Sequence, residues 1–483
     1  MKPGTILLAA LAALPVRADQ AFGLEATSDL LYRQNLMATG PRGFGPPAER
    51  PRQVQYGLSL VLNRGPWTGG ITLRDLNFYQ TAGNATLDRS QTRIYKKYIK
   101  FDASHWNLQG GDFNTLLGRG LVLSVIQNPA ILKFDTIDGL DARYRSGQLE
   151  LHGLSGSVTS EDQHQIQRVA GGEVTLEYLR GQRVGLRGCS IQDDRVPPFL
   201  PPMGLRQCRS ASLSGQDRSG AFSYYAEQGH IQFRDQQPSP FATPVDPRQG
   251  DGAYGNLSFH YRAWFLMAEY KDYRNFSNGL NNPPLADRDT EENDLYDGSG
   301  RRLYLQYSFP QPDLTLFASG GTYREVHWGP PDQGHDLYAG CKLQDAFDRL
   351  DLAWTYGLKT VLYLEKKTDA SLTWRFTPLW SLDLTLRDKR NRPPGSTPYE
   401  ETDLTVQLAR SPRFSVYLLQ QRSSVAVFDA TRMYHGGIRV NLPKGSYLEG
   451  SAGRLRGGEV CAGGQCVTLP PFRGWQLMAH LRW

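Results

Sequence analysis

No stretch of this sequence is long and apolar enough to cross a membrane as a helix. The longest apolar run, Ile6 to Leu14, falls well short of the roughly 20 residues that a helical span needs. Mean hydropathy is −0.48, the value of a polar chain. Strong charge is also missing: a formal +6, spread along 483 residues, is too small and too diffuse to point to nucleic acid. The nine histidines are scattered, and no Gly-x-Ser-x-Gly, His-Glu-x-x-His or Gly-x-x-x-x-Gly-Lys segment occurs. Catalysis, a metal centre and a cofactor therefore have no sequence support.

Cysteine is scarce, with five residues. Cys461 and Cys466, within Cys-Ala-Gly-Gly-Gln-Cys, have the spacing of a disulfide closing a small loop. Cys189 and Cys208 flank Pro197-Pro198-Phe199-Leu200-Pro201-Pro202 and would staple the base of one loop if their strands are neighbours. A metal site is the alternative for either pair, but neither has the paired spacings or nearby histidines of zinc sites. Cys341 alternates with Leu337, Ala339 and Leu343 and is expected on an apolar face.

What the sequence does contain is alternation. Leu382, Leu384 and Leu386 interleave with Ser381, Asp383, Thr385 and Arg387; Ala370, Leu372 and Trp374 interleave with Asp369, Ser371, Thr373 and Arg375. Similar runs recur from Val54 onward, and period two over so many segments is a strand signal. Short links near 64–66, 103–105 and 261–263 take turns with longer polar connections such as 35–52, 79–92 and 274–299. One face of each strand is apolar and the other polar, so a closed transmembrane sheet accounts for the pattern; in lipid only helices and barrels satisfy every backbone group. The fold class is accordingly all-β, an antiparallel up-and-down transmembrane barrel of about 24 strands (range roughly 18–26) with both termini on the short-link, periplasmic side. A secreted β-sandwich array is the soluble rival, but it requires no alternation of link length.

Residues 1–18 read as a secretory signal peptide, with Lys2, the apolar run and Val16-Arg17-Ala18 before the expected cleavage, leaving 19–483 as one barrel. At the other end Trp475, Leu477, Ala479, Leu481 and Trp483 share one face, and Gln476, His480 and Arg482 the other. This ending resembles the carboxy-terminal signal by which barrel-assembly machinery recognises its clients in Gram-negative bacteria.

One stretch breaks the pattern. Residues 114–137 include Leu116 to Leu132, too apolar for an exposed loop tip. Two readings stand: an inward fold that narrows the lumen, or an extra hairpin in the wall. In the first, Asp112, Arg119, Asp135, Asp138 and Asp141 would pair with wall charges around a constriction. Gly111-Asp112-Phe113, then Gly118-Arg119-Gly120-Leu121 and Asp138-Gly139, resemble a poorly characterised family of porin-like bacterial outer-membrane barrels. The resemblance implies fold and location and supplies no substrate. Asn281-Asn282-Pro283-Pro284 reads as an open loop.

Together these observations lead us to expect an outer-membrane protein in contact with lipid and lipopolysaccharide. Two functions fit: a channel or export conduit, and a structural or assembly anchor of an envelope-spanning secretion or motility machine with periplasmic or lipoprotein partners.

Overall fold

A computed structural model describes residues 23–35, 52–82, 85–126, 136–159, 166–195, 204–234, 249–284, 297–325, 332–360, 364–392, 397–427, 430–462, 465–469 and 472–483. The expected signal peptide and Asp135 lie outside the described residues. The main sheet has 24 strands, each antiparallel to both neighbours. It begins at Gly23–Asn35 and ends at Phe472–Arg482, and these two strands pair with each other from Thr27 opposite Arg482 to Asn35 opposite Gly474. The seam is completed by Trp483, whose N–H donates to the Ala26 carbonyl at 3.1 Å and whose carbonyl accepts from the Ala26 N–H at 3.2 Å. Across it Tyr32 stacks on Trp475 at 5.0 Å and His480 Nδ1 meets Asp29 Oδ1 at 2.6 Å. The chain is thus a closed outer-membrane-type β-barrel.

Alternation settles which way each side chain points. Leu303, Leu337 and Leu477 lie more than half exposed on the outside, as a lipid-facing surface requires. Trp67 against Phe101, Trp106 against Tyr144, and Trp264 against Tyr307 form close aromatic pairs on that outer face beside the short turns. Such rings suit the boundary between hydrocarbon and headgroup. This exterior, on a closed sheet, places the protein in the outer membrane.

Cys341 shares the outer face, opposite Leu316 and Trp354. One expected long connection is instead sheet. The strands Trp67–Ala82 and Ala85–Asp102 stay paired through Thr81 opposite Thr86, although 79–92 is polar. Beyond the lipid layer neither face need be apolar, so the periodicity fades while the backbone ladder continues.

The lipid-facing reading predicts an asymmetry between adjacent residues. Leu305→Arg, on the outer face, should destabilise the folded barrel by about 2–4 kcal/mol, whereas Gln306→Arg, pointing inward, should be near neutral. Urea titration of protein refolded in liposomes measures both, and equal effects would contradict the assignment of faces.

Candidate functional site

The strand Trp106–Phe113 and the strand Ile137–Ser146 are neighbours in the wall, and part of the chain between them turns inward. Thr115–Leu117 and Leu123–Val125 form a separate small hairpin. Gly118 (φ 65°) and Gly120 (φ 86°) supply the left-handed backbone of its turn, where a side chain would be strained. They also permit close approach: a Cβ on Gly118 would lie 2.4 Å from the Glu227 carboxylate, and one on Gly120 2.4 Å from the Asn282 carbonyl oxygen.

Leu117, Leu121, Val122, Leu123 and Val125 are fully buried, packed with Ile191, Ile231, Phe233 and Tyr254 from the inward faces of the wall. Each such side chain contributes roughly 1.5–3 kcal/mol on burial. Fixing the backbone costs roughly 1–2 kcal/mol for every residue of the hairpin, so burial alone does not hold it in place. Polar ties must add to it, and they come from two sources.

The first is a second inward segment, Phe276 to Pro284, which leaves the strand Trp264–Arg274. Its Leu280 carbonyl accepts from the Ser124 N–H at 2.7 Å, and its Asn282 N–H donates to the Gly120 carbonyl at 3.0 Å. Asn278 is fully buried; its Nδ2 donates to the Val122 carbonyl at 2.8 Å and contacts Cys208 Sγ at 3.0 Å. Asn281 Nδ2 donates to the carbonyls of Phe276 and Leu121 at 3.0 and 3.4 Å. Phe276 stacks on Tyr273 and lies over Gly229 and Gly252, whose missing side chains make room for the ring. The expectation of an open loop at Asn281-Asn282-Pro283-Pro284 is therefore corrected. In this segment Asn281 is buried, and its amide and that of Asn278 satisfy backbone groups that would otherwise be stranded.

The second source is Glu227, whose side chain is inaccessible to solvent. It accepts from the Arg119 N–H at 3.1 Å, from Ser210 Oγ at 2.6 Å and from the Tyr225 hydroxyl. Arg187 balances it at 3.4 Å and also contacts Glu173 at 2.6 Å. The Arg119 guanidinium lies over the Tyr225 ring at 4.7 Å, while its backbone is held by the carboxylate.

The remaining constriction candidates separate into two groups. Asp141 faces inward, with His152 Nε2 at 2.6 Å and Arg143 Nε at 3.2 Å, and Arg143 reaches Thr115 Oγ1 at 3.5 Å. Asp112 and Asp138 sit opposite each other in register: Asp138 shares the outer face with the exposed Leu140, while Asp112 is buried within the wall, accepting from the Lys97 N–H at 2.7 Å and Thr136 Oγ1 at 3.3 Å. Lys97 Nζ lies 2.7 Å from Asp138 and 3.7 Å from Asp112. Phe113 and Ile137, next in each strand, point inward into the buried core. Simple proximity in sequence to the inward hairpin concealed this reversal.

Cys189 and Cys208 are directly opposed on neighbouring strands, as expected, but their thiols are free. They are buried where the wall meets the inward segments, and the Cys189 thiol donates to the Val122 carbonyl at 3.4 Å. The expected bridge is thus replaced by contacts to the hairpin. Cys461 and Cys466 are opposed in the backbone of the hairpin Gly458–Ala462 with Gln465–Leu469, which stands apart from the barrel sheet. Their side chains lie outside what is described.

On the opposite arc the inward faces are wet over the half nearer the short turns, where Arg387 meets Asp369 at 3.0 Å and Arg375 meets Asp351 at 2.7 Å. Toward the long connections Lys389 meets Glu365 at 3.2 Å with the carboxylate buried, and Met433, His435 and Phe472 are buried as well. The Arg387 side chain is 63% exposed, against full burial of Ile191 and Ile231 across the lumen. The interior is consequently packed on one side and, over the half nearer the short turns, lined by exposed charges of both signs on the other. Near the first long connection's counterpart at the chain's end, Arg456 joins Glu401 at 3.1 Å and Asp403 at 3.6 Å.

Asn278→Ala removes donors to the Val122 carbonyl and the acceptor of the Leu280 N–H. Losing buried hydrogen bonds of this kind costs roughly 1–3 kcal/mol. Amide exchange at Leu123, Ser124 and Leu280 should quicken by about tenfold or more, with exchange in the strand Trp380–Arg392 unchanged. Uniform acceleration, or none, would show that the two segments are not mutually supported.

The sequence matches no protein-family model and no curated protein. Among solved structures, a chain of the E. coli P pilus tip assembly intermediate PapC-PapD-PapK-PapG matches with TM-score 0.54 at 11% identity. The match covers 97% of this chain and 62% of that one, so the present chain spans under two thirds of its length. The siderophore receptor PirA of Pseudomonas aeruginosa matches with TM-score 0.50 at 10% identity, over 95% of this chain and 80% of that one. At these identities the likeness is one of fold: both support a large outer-membrane barrel.

Proposed function

We propose that this chain is a partly occluded outer-membrane channel. The solute path runs along the wet arc, between the strands Leu350–Thr360 and Ala430–Asn441, past the two inward segments. The observation that carries the reading is the lopsided interior: one arc is buried under the Thr115–Val125 hairpin and the Phe276 to Pro284 segment, and the other exposes the Arg387–Asp369 and Arg375–Asp351 pairs over the half nearer the short turns. Barrels of 16–18 strands leave an aqueous channel and those of about 22 strands need a plug. A ring of 24 strands has room for both.

Both signs of charge line the path, so a strong preference for one sign of ion is not expected; opposed ladders instead set a transverse field that orients dipolar or zwitterionic solutes. The porin-like resemblance of the Gly-Asp-Phe and Gly-Arg-Gly-Leu positions supports the same reading. In it the signal peptide is removed on export, the terminal strand is recognised by barrel-assembly machinery, both ends lie in the periplasm, and lipopolysaccharide surrounds the long-connection end. An envelope-machine anchor has no observation of its own in its favour.

Single-channel recording in planar bilayers tests the proposal. Wild-type protein should conduct, and replacing Thr115 to Val125 with a short Gly-Ser link should raise the unit conductance by about twofold or more, since the hairpin then no longer fills its arc. Silence from both proteins would refute the channel.

A further inference from the structure

Outward-facing arginines collect in one sector beside the seam. Arg422 and Arg432 are directly opposed on the strands Phe414–Val427 and Ala430–Asn441, and Arg454 and Arg473 are directly opposed on Tyr447–Leu455 and Phe472–Arg482. Each shares the outer face of its strand with residues that meet lipid: Leu418 and Tyr434 are half exposed, and Leu477 is 53% exposed. The four guanidinium groups sit just past this apolar surface, at the end bearing the long connections. Among the described residues, the outer face of these four strands carries no carboxylate. The outward Glu400 of the adjoining strand lies beyond the Thr402–Arg422 pair, and its N–H donates to Ser424 Oγ.

Like charges set directly opposite each other in a sheet repel, and here it happens twice on adjoining strands. Arginine forks match phosphate geometry and make two-pronged, charge-assisted contacts with it. An anion placed between the pairs would turn both repulsions into attractions. Its position at the upper edge of an apolar strip, bounded by Trp475 and Tyr434, suits an anion that carries acyl chains rather than one free in water.

We infer that Arg422, Arg432, Arg454 and Arg473 form a binding site for the phosphate groups of an outer-leaflet glycolipid, whose acyl chains run down Leu418, Ile438 and Leu477. The inference rests on the proposed orientation, with the long connections outside. It adds a fixed lipid to the channel and does not depend on whether the channel conducts.

Purified barrel in detergent is titrated with diphosphorylated lipid A, with the same lipid after phosphate removal, and with inorganic phosphate as competitor, using native mass spectrometry. Wild-type protein should prefer the phosphorylated lipid, and Arg432→Ala with Arg473→Ala should reduce that preference roughly thirtyfold, from about a tenfold step for each 1.4 kcal/mol and the worth of a basic residue at an anionic surface. Arg432→Lys with Arg473→Lys should keep most of it and guard against misfolding as the cause. Arg387→Ala with Arg439→Ala, which removes the same charge from the lumen, should leave it unchanged. Equal binding of the two lipids, or an equal loss in the lumen variant, overturns the site; displacement by inorganic phosphate at lipid-like concentrations overturns its assignment to a lipid. Protease access at residues 326–331 on intact cells reports orientation separately: protection there would remove the leaflet argument while the affinity comparison still stood.

Discussion

A sheet in hydrocarbon tolerates no free edge, because every unpaired backbone group there costs several kcal/mol. The rest of this molecule follows from that constraint. The seam between Gly23–Asn35 and Phe472–Arg482 brings together residues from opposite ends of the chain, and the backbone of Trp483 bonds twice to Ala26 to finish it. Once the ring is shut, period-two alternation leaves only one arrangement: leucines and aromatics outside, polar residues inside. The two ends of the sheet also differ in character, with aromatic pairs such as Trp264 and Tyr307 beside short turns and the Arg454–Arg473 pair toward the other end.

Closing so many strands creates a second difficulty, a lumen too broad for wall side chains to fill. The chain resolves it unevenly. Two inward segments and the wall residues beneath them make an interior as dry as a soluble protein's, centred on Leu123, Ile191 and Phe276. Elsewhere, over the half of the barrel nearer the short turns, inward residues such as Arg387 and Asp369 pair in water. Several polar groups buried in this arc have multiple partners: Glu227 has Arg187, Ser210, Tyr225 and the Arg119 amide, and Asp141 has His152 and Arg143. The fully buried Arg206 pairs with Asp193 through Nη2, and its Nε and Nη1 have no partner among the described residues. Such pairing is what permits the carboxylates in a dry region.

The wall was legible in the sequence because its cause is local. Leu382, Leu384 and Leu386 alternate with Ser381, Asp383 and Arg387 whether or not the neighbours are known, and Trp475 to Trp483 carries the same signal into the seam. The apolar Leu116 to Leu132 was also readable as material that must be buried, and Leu117 and Leu121 to Val125 are, although Leu116 is exposed and 127–132 lie outside the described residues. Its partner was not. Phe276 to Pro284 has the asparagine, glycine and proline content of a solvated turn, and only the carbonyls of Leu121 and Val122, distant in sequence, give its amides their purpose. Asp112 and Asp138 were misplaced for a related reason. They flank the inward hairpin, yet Phe113 and Ile137 take the inward positions, leaving Asp138 exposed outside with Lys97 and Asp112 buried in the wall on the Lys97 N–H. The thiols of Cys189 and Cys208 were placed correctly as neighbours, but proximity in a sheet does not dictate oxidation.

The exchange of hydrogen bonds between the two inward segments limits how the lumen can ever widen. Withdrawing the hairpin alone would strand the Asn282 amide and leave Asn278 only its sulfur contact; withdrawing the other segment alone would strand the Gly120 carbonyl and the Ser124 amide and leave the Val122 carbonyl only the Cys189 thiol. Neither half can retreat by degrees without leaving bare dipoles in a dry cavity. Dilation is therefore a concerted, two-position event, and a force applied at either root of the pair, near Phe113 or near Arg274, is felt at the other.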